Sequence, residues 1–145
     1  MARKSTVEKR RLLYPETDVY KFHNANPQDN FTGDCVARAI SEVTGKPWSE
    51  VILEMTHHGI KKGLIFNDRK NIKSYLKSLG WEKHKEPRNR FNKKIKAKDF
   101  LRDNYLELAI VNLGSRHIAA VVNNQIIDTW NSSYETMHSY WTPTQ

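Results

Sequence analysis

A chain of 145 residues with 38% hydrophobic and 10% aromatic side chains can bury one core, and its four tryptophans argue against a disordered polymer. A single cysteine excludes an internal disulfide framework and a multi-cysteine metal centre. The formal charge of +8 keeps polyanions and acidic proteins open as partners, while no apolar run approaches membrane-spanning length.

In chain order, residues 1–13 are basic and read as an exposed N-terminal arm, with residues 14–145 forming one domain. The start, Met1-Ala2-Arg3-Lys4-Ser5, has no apolar signal core, so the cytoplasm is the expected compartment. Residues 14–31 are rich in Asn, Pro and Asp and read as a nonregular approach segment packed by Tyr14, Tyr20, Phe22 and Phe31. Asp34 stands where a helix cap would, and Val36, Ala39, Ile40 and Val43 give an apolar stripe that Gly45 ends, which predicts a helix over 34–44. Pro47 can open a second helix over 47–58, with Trp48, Val51, Ile52 and Met55 on its apolar face. Asn67 or Asp68 caps a third, over 67–79, striped by Ile72, Tyr75, Leu76 and Leu79 and ended by Gly80. Trp81 starts a short strand, and a short helix is expected near 97–104.

The chain then changes character. Leu106 to Leu113 is nearly continuous in apolar residues, as a central strand would be. His117 to Val122 and Gln125 to Trp130 are two more strands, joined by a tight turn at Asn123-Asn124. Helices first and a small antiparallel sheet afterwards is an α+β order. The tail Trp141-Thr142-Pro143 reads as aromatic but isolated.

Chemistry is suggested first by Cys35. It falls in the first turn of the helix over 34–44, where unpaired N–H groups and the helix dipole favour a thiolate and offer donors to an oxyanion. A thiol nucleophile needs a base, and the base needs an orienter. Of six histidines, His117 is best placed, at a strand start beside the loop Gly114-Ser115-Arg116. In a hairpin turning at Asn123-Asn124, paired residue numbers sum to about 247, so Asp128 lies opposite residue 119, one same-face step from His117. Asp128 could then fix the imidazole tautomer, and an amide in its place would still accept that hydrogen bond. His57 and His58 are adjacent on a helix and point about 100° apart, so they do not form one metal site. His84 and His138 lack a nearby carboxylate pattern, and no glycine-rich phosphate loop is present. No cofactor or metal is therefore expected.

The order Cys35 at a helix start, His117 at a strand start and Asp128 on the next strand resembles the papain-like cysteine peptidase superfamily. Gly33-Asp34-Cys35 is similar to the nucleophile segment of compact bacterial and viral members of the bacteriocin-processing type. Asp128-Thr129-Trp130 is similar to the Asn/Asp-x-Trp of papain relatives, in which the tryptophan shields the histidine–orienter bond. The resemblance spans about residues 28–132 and implies a papain-like α+β fold, N-terminal helices packed on a small C-terminal antiparallel sheet. It further implies a thiol-dependent peptidase or amidase with protein or peptide substrates, a Cys35–His117–Asp128 triad, Trp130 as the shield, and a phage or mobile-element setting. The family's oxyanion-donor glutamine has no exact counterpart. Six residues before the cysteine stands Asp29, which cannot donate when ionised, so Gln28 and Asn30 are the candidates. The same superfamily holds acyltransferases, deamidases and inactive scaffolds. A noncatalytic module binding through a basic surface is the alternative, and it predicts a blocked cleft. That surface would be residues 83–98, with eight cations against the single acid Glu86, expected to lie at the surface and to meet an acidic protein or polyanion.

Overall fold

The computed structural model describes residues 5–144. Its elements run α1 (Thr6–Leu13), β1 (Tyr20–Phe22), α2 (Cys35–Thr44), α3 (Trp48–Ile60), α4 (Arg69–Ser78), β2 (Trp81–His84), α5 (Ala97–Asp103), β3 (Leu108–Leu113), β4 (His117–Val122), β5 (Gln125–Asp128), a single 3-10 turn at Ser132–Tyr134, and β6 (Met137–Pro143). This is an α+β arrangement in which most helices precede a mixed, mostly antiparallel sheet of six strands in the order β1-β5-β4-β3-β6-β2.

The sheet is nucleated by local turn chemistry. Asn123 and Asn124 both adopt left-handed backbone (φ 50° and 64°), as the tight hairpin turn between right-twisted strands requires. The pairs Val122↔Gln125, Val121↔Ile126 and Ala120↔Ile127 follow, each summing to the 247 that the sequence predicts. Gly114 turns the chain from β3 into β4 at φ 54°, and a Cβ there would sit 2.7 Å from a Glu135 carboxylate oxygen. Alternation along the strands feeds two cores. Ile110, Ala120, Trp81 and Trp141 pack under Ile40, Met55 and Leu76 of the helices. Ala109, Val111, Val121 and Ile126 point to the other face, with Tyr20, Leu101 and Met137.

Several expectations are corrected or refined. The basic segment keeps no buried residue among those described but is helical from Thr6: the Ser5 hydroxyl accepts from the Glu8 N–H and the Glu8 carboxylate accepts from the Ser5 N–H, a capping box that starts α1. Residues 1–4 lie outside the described residues. The segment 14–31 is not wholly irregular, because Tyr20–Phe22 forms β1, parallel to β5, which makes the sheet mixed rather than antiparallel. The tail is not isolated: Met137–Pro143 is β6, inserted between β3 and β2. The strand expected from Leu106 begins at Leu108, and the helix expected to stop at 58 runs to Ile60. No helix among the described residues is long and apolar enough to cross a membrane.

Candidate functional site

Cys35 is the first residue of α2. The residue before it, Asp34, sits at the N-cap but makes no side-chain capping bond. Its carboxylate is turned elsewhere: Oδ1 accepts from Arg38 Nε at 2.9 Å, and Oδ2 accepts from Trp48 Nε1 at 2.9 Å and Asn26 Nδ2 at 3.3 Å. The first-turn N–H groups of α2 are thus left uncapped by Asp34 and point at whatever lies before Cys35.

His117 opens β4, and its Nε2 meets Asp128 Oδ2 at 2.6 Å. With Nε2 committed, Nδ1 is the nitrogen that remains for the Cys35 sulfur, which lies beside the His117 ring and the Ile118 N–H. Asp128, 1% exposed, is the end of β5. Its carboxylate takes four donors: His117, the Ser132 hydroxyl at 2.7 Å, the Thr129 N–H at 2.8 Å and Arg38 Nη1 at 3.1 Å. That fills the acceptor capacity of an ionised carboxylate. Arg38 therefore bridges two buried acids, Asp34 and Asp128.

These contacts set the protonation states. Burial favours the neutral thiol of Cys35, but His117, the Ile118 N–H and the Arg38 charge outweigh it and hold the thiol below its ordinary range. Burial likewise disfavours the imidazolium of His117, yet the hydrogen bonds and charges of Asp128 and Cys35 push it up to about 9. Burial would raise Asp128, and its bond to His117, the Ser132 hydroxyl and the Arg38 charge hold it below the usual carboxylate range. The shifts run in the directions that favour a thiolate beside an imidazolium, backed by a carboxylate.

Trp130 covers the pair, its ring centroid 4.9 Å from that of His117 with the planes tilted by 48°. Tyr14 packs edge-on against Trp130 at 6.5 Å. The structure thus brings together Cys35, His117, Asp128 and Trp130. It does not bring Gln28 or Asn30 to them: both are exposed, neither lines the cleft, and their bonds run through the backbone, the Gln28 N–H to Asn26 and the Asn30 carbonyl from Asn24. The cleft itself, about 780 Å³, opens in front of Cys35 and His117 and runs between α4, the β3–β4 loop, β6 and β2.

Sequence reading missed Arg38 and Ser132. Arg38 was detectable, since Asp34 and Arg38 are spaced i, i+4 on one helix face. Ser132 carries no such signal, because its bond depends on the turn after β5. His138 does have a carboxylate, Glu86 at 2.6 Å, brought by the unforeseen β6. The block 83–98 lies mostly at the surface, as expected, with Ala97 buried just inside it and Lys83 reaching the cleft.

No protein-family model matches the chain, and neither a curated protein nor a solved structure does.

Proposed function

We propose that this chain is a papain-like cysteine hydrolase that cleaves peptide or amide bonds through a covalent thioester. The observation that carries the reading is the contact series Cys35–His117–Asp128 at the mouth of an open cleft. The Cys35 thiolate adds to the substrate carbonyl carbon, and the C–N bond then breaks as the His117 imidazolium gives its proton to the leaving amine. Water attacks the thioester next. His117 takes its proton, the C–S bond breaks, and a carboxylic acid leaves with the thiolate restored. Asp128 holds the imidazole orientation, and Trp130 keeps water from the His117–Asp128 bond.

The oxyanion would be held by the Cys35 N–H at the uncapped start of α2. The loop positions of Gln28 and Asn30 do not favour them as donors. An open cleft supports catalysis over a purely noncatalytic module, for which a blocked cleft is the expectation. An acyltransferase or deamidase would use the same residues and differ only in what meets the thioester.

The test is alkylation of Cys35 by limiting iodoacetamide at pH 7, read by intact mass. The wild-type chain should label rapidly, Cys35→Ala not at all, and His117→Ala roughly 10–100-fold more slowly, because the thiolate loses its partner. Equal labelling of wild type and His117→Ala would remove the catalytic reading.

A further inference from the structure

The cleft beyond Cys35 carries one sign of charge. Arg69, Lys70 and Lys73 of α4, Lys83 of β2 and Arg116 ahead of β4 line it, and no aspartate or glutamate does. The ion pairs of Lys and Arg among the described residues engage other cations: Arg38, Lys46, Arg88, Lys98 and Arg102. His138 also lines the cleft, but Glu86 is bonded to it. None of the five wall cations forms an ion pair among the described residues. Burial and the nearby ammonium groups of Lys73 and Lys77 lower the Lys83 pKa. At the start of α4 one acid, the N-cap Asp68, accepts from the Lys70 N–H at 2.8 Å, but it does not line the cleft, whereas Arg69 and Lys70 of the first turn do. Helix N-termini ordinarily attract acids.

The floor of the cleft is ordered. Lys83, Trp141, Asn112 and Ile118 fall on alternate positions that share the helix-bearing face of the sheet. Asn112 Nδ2 donates to the Ser139 carbonyl at 2.9 Å and to its hydroxyl at 3.1 Å, tying β3 to β6. We infer that this cleft takes an acidic peptide, with aspartate or glutamate side chains on the part of the chain that runs from Cys35 toward α4 and β2. Three strand spacings of about 4.8 Å separate β4 from β2 across β3 and β6. An extended peptide at about 3.4 Å per residue covers that span in about four residues. Lys73 and Lys83 would meet acids at the far end and Arg116 one near the reacting carbonyl. A peptide is favoured over a polynucleotide because Trp141, the aromatic ring of the floor, is 3% exposed and offers no stacking face.

The inference rests on the hydrolase reading only for which bond lies at the sulfur, so it is tested without turnover. In the full chain carrying Cys35→Ala, fluorescence polarisation compares a labelled eight-residue Glu-Ala repeat with its Gln-Ala counterpart. A thymidine oligonucleotide serves as competitor. The Glu peptide should bind at least ~10-fold tighter than the Gln peptide, and the advantage should fall with salt and disappear in Lys73→Glu/Lys83→Glu. Circular dichroism checks the fold, and Lys73→Gln/Lys83→Gln replaces the double reversal if that variant misfolds. Equal affinity for the two peptides, binding of neither, an unchanged preference in the lysine variants, or tighter binding of the oligonucleotide would each overturn the inference. If discrimination fails while alkylation of Cys35 still depends on His117, only the substrate class falls. If discrimination holds while that dependence is absent, the hydrolase reading falls and the cleft stands as an acidic-peptide site.

Discussion

At the Cys35 end of the cleft, Asp34 and Asp128 are 3% and 1% exposed, and the Arg38 guanidinium lies between them. At the other end, Arg69, Lys70, Lys73 and Lys83 lie on the surface with no carboxylate among the lining residues. The difference follows from solvent. An ion withdrawn from water costs several kcal/mol unless an opposite charge and hydrogen bonds replace its hydration, so buried charges must be paired within the chain. An exposed lysine keeps its water, and leaving it unpaired costs little. The first region is therefore committed to the fold and to His117, whereas the second leaves its charge unpaired within the described chain.

The sharpest way to break this contrast is to remove the buried cation. Arg38→Met leaves two buried carboxylates facing each other, and urea unfolding should show a loss of ~3–5 kcal/mol. Arg38→Lys should restore only part of it, because one ammonium cannot reproduce the forked contact to two acids. Asp128→Asn comes next. An amide can still accept from the His117 ring, but it gives up the negative charge that Arg38 and the imidazolium share. Cys35 alkylation at pH 7 should fall by roughly 10-fold, with Asp128→Ala falling further.

A pH series separates the two roles of His117. Alkylation needs only the thiolate, so it should persist once Cys35 has ionised, below the pH usual for a thiol. Turnover also needs the imidazolium to protonate the leaving amine. It should decline as pH rises through about 9, where His117 loses its proton. Coincident profiles for the two measurements would contradict the assigned roles. The smallest effect is expected at the open end. Lys73→Glu/Lys83→Glu should leave the melting midpoint unchanged or slightly higher, since it relieves like-charge crowding, even as binding of the Glu peptide is lost.

Much of the site was legible because it depends on short-range rules. The apolar stripe after Cys35, the twin asparagines between β4 and β5 and the alternation that faces Asp128 toward His117 are all written within a few residues. What escaped depends on distant partners. The strand at Tyr20–Phe22 exists because β5 offers a parallel edge, and Met137–Pro143 becomes a strand only between β3 and β2. The capping box at Ser5 and Glu8 was the exception, a local signal present in the sequence but hidden by the basic composition around it. The cationic wall was invisible for the first reason: α4, β2 and Arg116 meet only when the sheet order is known.

The insertion of β6 also sets how firmly each strand is held. The β3–β4 and β4–β5 hairpins close over short separations and carry His117 and Asp128 into place early. Strand β2 joins the sheet only through β6, and His84 meets Thr142 across 58 positions of chain. Such long loops close late, and an edge held by one neighbour opens readily. Amide exchange should therefore be faster in β2 than in β4. The strands that carry His117 and Asp128 are held on both sides within the sheet, while Lys83 stands on an edge strand held by one neighbour.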